Sequence, residues 1–276
     1  MYRVIKALNH NAVLALESGT NAEYLIMGKG IGFGKKVSER IEPGEDSVIY
    51  SLQSVSKRGK AKELFQEIDA KYLEMANAIL NEAEKEFGKI DREILFPMAD
   101  HIAFAVKRMK RGETITNLLT QDIRVLFYKE FKVASLIRDV LSCEEGLEIP
   151  DDEIGYVALH VHSATDGEKV SSAMQIAAAV RECVTLIEQD AGRCIDVQTL
   201  SYNRLMNHIK YMAARAVRGE KLKVNMNQYI QQEFPRSYEI ADTVCDHFGK
   251  QLGKKLPDTE IGYLAMHIER VYTDEE

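Results

Sequence analysis

The sequence has no uninterrupted apolar run near the roughly 18 residues that a membrane-spanning helix needs, so no membrane insertion is expected. Its opening, MYRVIKALNHN, lacks the apolar segment of a signal peptide, which predicts a cytoplasmic protein. The cysteines Cys143, Cys183, Cys194 and Cys245 lie far apart with no C-x-x-C pair. A disulfide framework and a zinc ribbon are therefore unsupported, and reduced thiols are expected. H-E-x-x-H and G-x-S-x-G are also missing, and no carboxylate pair is singled out by spacing. The chain is expected to be no enzyme and to need no metal or cofactor. Prolines number only 5 in 276 residues, which leaves room for long helices.

Hydrophobic residues at 45% and charged residues at 29% are ordinary for a globular protein. The net charge of -7 argues against a protein that coats nucleic acid over its whole surface. A local basic site remains open, because residues 1–38 hold Arg3, Lys6, Lys29, Lys35 and Lys36 against Glu17 and Glu23 alone.

Four short segments near the N-terminus read as strands: YRVIKAL, AVLALE, EYLIMG and SVIYSL. Turn-formers separate them, among them Asn9-His10-Asn11 and Glu42-Pro43-Gly44-Glu45. They predict a small antiparallel sheet, a unit that pairing with a second copy would help to stabilise. The polar, basic SVSKRGKAKEL reads as a linker, after which 3.6-residue periodicity predicts helix to the end.

The helical part repeats. MADHIAFAVKRMKRGE (98–113) aligns with LMNHIKYMAARAVRGE (205–220), and LEIPDDEIGYVALHVH (147–162) with KKLPDTEIGYLAMHIE (254–269), both at a shift of 107. Between these boxes the KEF ending at Phe131 resembles the QEF ending at Phe234, which predicts a slip in register to 103. A repeat this long implies two copies of one helical domain.

Four histidines occupy equivalent repeat positions: His101, His160, His208 and His267. Ile154, Val157, Ala158 and Val161 form an apolar stripe with His160 at its edge, one turn after Tyr156; His267 follows Tyr263 likewise. His101 lies off the stripe of Ala99, Ile102, Ala103 and Val106, and Arg108 shares its face two turns on; His208 and Arg215 repeat the pairing. Edge positions beside arginine suit an imidazole that is reached from outside and later holds negative charge. Two related cores that merely retain polar positions would give the same pattern. Metal binding fits less well, since His160-x-His162 diverges on a helix and Glu269 replaces His162 in the second copy.

The glycine-rich MGKGIGFGKK (27–36) invites a nucleotide-binding reading, but the letters refuse it. A P-loop needs glycine five places before Gly34, where Lys29 stands, and Ser or Thr where Lys36 stands. From Gly28 the sixth place of G-x-G-x-x-G is Phe33.

Taken in order, IKALNHNAVLAL, IMGKGIGFGKK, ADHIAFAVKR, EIGYVALHVHSA, NHIKYMAAR and EIGYLAMHIERV resemble the BglG/SacY/LicT family of bacterial transcriptional antiterminators over nearly the whole chain. The resemblance implies an α+β multidomain protein. A small antiparallel β RNA-binding domain (1–56) and a linker (57–62) precede two homologous all-α helical-bundle domains, the PTS-regulation domains (63–170 and 171–276). As a homodimer it would hold an RNA hairpin in a nascent leader transcript and so prevent a terminator from forming. The regulatory domains would be phosphorylated by the phosphocarrier HPr and a sugar-specific EII component of the phosphotransferase system. The matching phosphoacceptor positions are His101, His160, His208 and His267. The matching RNA contacts are Lys6, Asn9 and Asn11 in the first turn and Gly28, Lys29 and Phe33 in the glycine loop. Here His10 stands where the family often has asparagine, and Lys29 where some members have arginine. The residue types suit the role, with amides for base edges, an aromatic for stacking and cations for phosphates. Asn9 and Asn11 making a tight turn, with Phe33 packing, is the alternative. A phosphorylation-controlled DNA-binding activator is the rival function, although the N-terminal segment has no recognition-helix pattern.

Overall fold

The computed structural model describes every residue except 21, 53–54, 57–58, 61–67, 193, 197–198 and 274–276. Five strands open the chain: β1 (Tyr2–Asn9), β2 (Ala12–Glu17), β3 (Glu23–Met27), β4 (Arg40–Ile41) and β5 (Val48–Ser51). They pair antiparallel in the order β4-β1-β2-β3-β5. The four strands expected from the sequence are the four longer ones. The fifth, β4, spans two residues against Tyr2 and Arg3 and is too short to show a period of two. Val4, Val13, Ala15, Ile26 and Ile41 form the buried cluster, with Tyr2, Tyr24 and Ile31 packed against it. Register shifts between Val4 and Lys6 and between Ala7 and Asn9 mark bulges, which twist β1 as it enters the first turn.

The predicted linker is partly a ribbon. Val55–Ser56 (β6) pairs with Gly59–Lys60 (β7), while residues 57–58 and 61–62, and the expected start of the first helical domain at 63, lie outside the described residues.

Eleven α-helices follow among the described residues: α1 (Ala70–Phe87), α2 (Leu95–Lys110), α3 (Thr120–Leu126), α4 (Tyr128–Ala134), α5 (Ile137–Glu145), α6 (Asp151–Asp166), α7 (Val170–Ala191), α8 (Leu200–Arg218), α9 (Asn227–Glu233), α10 (Pro235–Leu252) and α11 (Thr259–Thr273). Local chemistry sets their ends. Asp69 caps α1 through the Lys71 N–H, and Thr199 caps α8 through the Tyr202 N–H. Gly219 at φ 71 ends α8.

The helices correct one expectation. Phe127 and Phe234 occupy the same place, each ending a seven-residue helix with its N–H bonded to the carbonyl of Ile123 or Ile230. The shift is therefore 107 there too, and the slip to 103 suggested by the KEF and QEF letters does not occur. Those three letters are too few to fix a register that packing sets. The copies differ instead in continuity: α4 and α5 are separate, whereas their counterpart α10 is one helix.

The chain forms two compact units, residues 1–116 with 129–168, and residues 117–128 with 169–276. These boundaries differ from the repeat boundaries expected at 63–170 and 171–276. Within the second unit, α3 lies against α7 and α8. Asp122 is buried 3.8 Å from Arg181, and the Lys210 ammonium donates to the Leu126 carbonyl at 2.5 Å while sitting 4.8 Å over the Phe127 ring. Burial pushes the Asp122 carboxyl above its ordinary value, against the pull of Arg181.

In the first unit the sheet is tied to the helices through Tyr50 on β5. Its hydroxyl donates to Asn77 Oδ1 of α1 at 2.6 Å, and its ring meets Phe96 of α2 edge-on at 6.1 Å. Val170–Asp190 in α7 is long and apolar enough by composition to cross a membrane, although Arg181 and Glu182 interrupt its apolar run. Ala173, Ala177, Val180, Cys183 and Ile187 are buried within the protein, which accounts for that hydropathy.

Candidate functional site

The four repeated histidines form two pairs, each on two helices of one unit. In the first unit, α2 carries His101 and Arg108, and α6 carries Tyr156 and His160. The His101 and His160 ring centroids lie 5.7 Å apart, and His101 lies 5.5 Å from the Tyr156 ring. In the second unit, α8 carries His208 and Arg215, and α11 carries Tyr263 and His267. There the imidazoles stack at 4.7 Å, and His208 lies parallel to the Tyr263 ring at 6.4 Å.

A glutamate not expected from the sequence bridges His101 to Arg108 in the first unit and His208 to Arg215 in the second. Glu153, in the first turn of α6, is buried. It accepts a hydrogen bond from Arg108 Nη2 at 2.7 Å, and its other oxygen lies 3.2 Å from His101 Nε2. Glu260, in the first turn of α11, accepts from Arg215 Nε at 2.8 Å and Nη2 at 2.7 Å and lies 3.9 Å from His208 Nε2. The signal was present: Glu153, Tyr156 and His160 follow i, i+3, i+7 spacing, and Glu260, Tyr263 and His267 repeat it. Burial pushes the Glu153 carboxyl up, but the His101 imidazole and Arg108 guanidinium outweigh it and hold it below its ordinary value.

Accessibility departs from the sequence reading. His160, expected at a reachable edge, is 4% exposed. Helix packing closes over that edge from α2, which a single helical wheel does not register. In the second unit, burial chiefly, with His267 and Arg215 beside it, lowers the His208 pKa to about 3. Burial, Arg270 and Arg204 lower that of His267 to about 4. Both imidazoles are therefore neutral at pH 7, the form with a free nitrogen lone pair. A neutral imidazole beside an arginine has what phosphoryl acceptance requires: a nucleophile and a cation to receive the new charge.

Position 162 diverges between copies. His162 is buried with Nδ1 3.2 Å from Glu130 Oε1, whereas its counterpart Glu269 accepts a hydrogen bond from Ser237 at 2.6 Å. Ser237 is the counterpart of Glu130, so both members of the pair change together.

In the sheet, the glycine loop is laced onto the first turn. Gly28 N–H donates to the Asn11 carbonyl at 2.9 Å, Gly30 N–H to Asn11 Oδ1 at 2.9 Å and Gly32 N–H to the His10 carbonyl at 3.0 Å. Asn9 Oδ1 accepts from the Asn11 N–H at 2.9 Å. Both asparagines thus use an amide oxygen to build the turn. A side chain at Gly32 would lie 2.1 Å from the Asn9 carbonyl oxygen, so the approach of loop and turn demands glycine there. Lys6 and Lys29 are exposed on this region. Phe33 is 69% exposed and meets only the edge of the His10 ring, at 5.3 Å, among the described ring contacts. It does not pack into the core. Lys35 is paired with Glu39 at 2.6 Å. Asn11, Gly28 and Lys29 also line one wall of a cleft of about 470 Å³, whose other wall includes Asn77, Asn81 and Glu144 of α1 and α5.

Comparison with known proteins gives two family matches. The family described as CAT RNA binding domain matches residues 2–58, and the PRD domain matches residues 61–164 and 181–271. Protein GlcT of Staphylococcus epidermidis is 29% identical over 97% of this chain and 95% of its own length. The beta-glucoside operon antiterminator of Dickeya chrysanthemi is 26% identical over 99% and 97%. Transcription antiterminator LicT of Bacillus subtilis is 25% identical over 98% of each. Among solved structures, the crystal structure of GlcT CAT-PRDI has a TM-score of 0.50 and 31% identity, covering 60% of this chain and 98% of that one.

Proposed function

Because this chain belongs to the family of transcription antiterminators that join a CAT RNA-binding domain to PRD domains, we propose that it acts as a dimer on a hairpin in a nascent leader transcript, under control of histidine phosphorylation. The observation that carries the reading is the succession of one CAT and two PRD matches, aligned with antiterminators nearly end to end. It is a regulator; no catalytic role is assigned to any residue. Its place of action is the cytoplasm, where a leader transcript emerges.

The RNA contacts in this proposal are Lys6, Asn9, Asn11, Gly28, Lys29 and Phe33. The exposed Phe33 supports it, since an aromatic that packs into no core is free to stack on an unpaired base. Each asparagine amide still has its NH₂ to offer after the oxygen has closed the turn. Lys29 is a point charge suited to phosphate. The phosphoacceptors are His101, His160, His208 and His267, with HPr and a sugar-specific EII component as donors. The neutral state of His208 and His267 supports this part.

Titration of the protein with a bulged RNA hairpin at two salt concentrations tests the RNA half. Affinity should fall steeply with salt as phosphate contacts release counterions. Equal affinity for duplex DNA of the same sequence would favour the rival activator function instead. Incubation with phosphorylated HPr, with and without EII, tests the other half by intact mass; no acid-labile addition in either case would refute it.

A further inference from the structure

Each histidine pair contains a buried anion where an added phosphoryl group would need a cation. We propose that Glu153 and Glu260 are resident anions that occupy Arg108 and Arg215 in the unphosphorylated protein, and that a phosphoryl group on His101 or His208 takes over the arginine and displaces the glutamate. This rests on the phosphoacceptor reading above and adds the positioning residue that reading lacks.

The geometry leaves little alternative. Glu153 Oε2 stands 3.2 Å from His101 Nε2, so a phosphoryl group on that nitrogen enters the space the carboxylate fills. Arg108 Nε, His101 Nε2 and Glu153 Oε2 are buried atoms with no hydrogen-bond partner. Three phosphoryl oxygens offer acceptors to Arg108 Nε and Nη2 together, the two-pronged grip that Arg215 already gives Glu260. A carboxylate and a phosphoryl dianion cannot share one buried guanidinium without strong repulsion. Both glutamates lie in a helix first turn, where the backbone favours negative charge, so the incoming group inherits that field as well.

The transfer itself balances. The acceptor imidazole reacts as its Nδ1–H tautomer, the Nε2 proton that faced the glutamate having moved to Nδ1: the Nε2 lone pair attacks phosphorus, the P–N bond of the donor phosphohistidine breaks, and the donor imidazole leaves with the electron pair of that bond. Each ring keeps its other N–H. The glutamate then leaves its buried seat, and α6 or α11 has lost the contact that tied its first turn to α2 or α8. Phosphorylation thereby becomes a change in helix packing rather than only an added charge.

The test uses the full-length protein, phosphorylated HPr, and the variants Glu153→Gln and Glu260→Gln. Glutamine keeps the shape but not the charge. In each variant the equilibrium partition of phosphoryl between HPr and the affected histidine, mapped by peptide mass, should shift toward this protein by at least threefold. A purely structural role would lower the unfolding midpoint without moving the partition. Nitrogen-edited NMR of the Arg215 Nε–H gives a second readout: its resonance should move when wild-type protein is phosphorylated. A partition change below threefold, or an Arg215 resonance indifferent to phosphorylation, overturns the exchange while leaving the phosphoacceptor reading intact. Wild-type protein that takes no label on His101 or His208, with or without EII, overturns the exchange, and the absence of label on all four histidines overturns both.

Discussion

Arg215 holds Glu260 with two hydrogen bonds, and Arg108 holds Glu153 at the same separation of 45 residues in the other copy. Each arginine lies seven residues after a repeated histidine on one helix, and each glutamate seven residues before another on a second helix. The pair therefore staples together the two helices that bring each histidine pair into contact.

Replacing Arg215 with methionine should destabilise the second unit by about 3 kcal/mol, because it strands the Glu260 carboxylate in a buried site. Glu260 is 1% exposed, so water cannot stand in for the lost cation. Denaturant unfolding of the variant and the wild type gives the difference. A loss under about 1 kcal/mol would mean that the carboxylate finds another partner.

Acid should weaken the second unit before ordinary carboxylates titrate. The folded pKa of His208 is about 3, below its ordinary 6.5, so the unfolded chain takes up the proton first as pH falls. This contribution is complete above pH 6.5 and is lost progressively toward pH 3, at about 1.4 kcal/mol per pH unit. Arg215 and His267 oppose the charged form and Glu260 favours it, and burial outweighs the glutamate. Urea unfolding from pH 7 to 5 should show a shallower slope for His208→Asn than for wild type. Equal slopes would refute the assignment.

Phe33→Ala should weaken hairpin binding by about 1 to 3 kcal/mol, the usual worth of one base stacked on an aromatic. The melting temperature should hardly change, because the ring is 69% exposed. Fluorescence anisotropy with labelled RNA, beside a thermal melt, separates the two effects. Unchanged affinity would remove Phe33 from the interface.

Gly32→Ala should open the glycine loop from the first turn, since its new methyl would meet the Asn9 carbonyl oxygen at 2.1 Å. Gly44→Ala is the control, with nothing within 4 Å of the added carbon and no unusual φ. Hydrogen exchange at the Gly28 and Gly30 amides should quicken in the first variant only. Protection equal to wild type in Gly32→Ala would show that the loop tolerates the methyl.

Much was legible in the letters because it was local. Alternation in β1, β2, β3 and β5, the 3.6-residue period after residue 70 and the long repeat need only neighbours a few residues apart. The two-residue β4 carries too short a pattern to read, and the β6–β7 ribbon hides in a polar, basic stretch. The KEF and QEF letters misled because similarity over three residues carries less information than the helix ends that Phe127 and Phe234 set.

The sequence by itself determined the four longer strands, the helical character of the rest of the chain, and that His101 pairs in role with His208 and His160 with His267. These follow from periodicity and repetition, which are properties of the chain in one dimension. Only the tertiary structure decided that His160 is buried, that α3 lies against α7 and α8, and that a glutamate joins His101 to Arg108 and His208 to Arg215. Those facts depend on which side of one helix meets another, and packing settles that between residues far apart in the chain, 45 positions for each arginine and its glutamate.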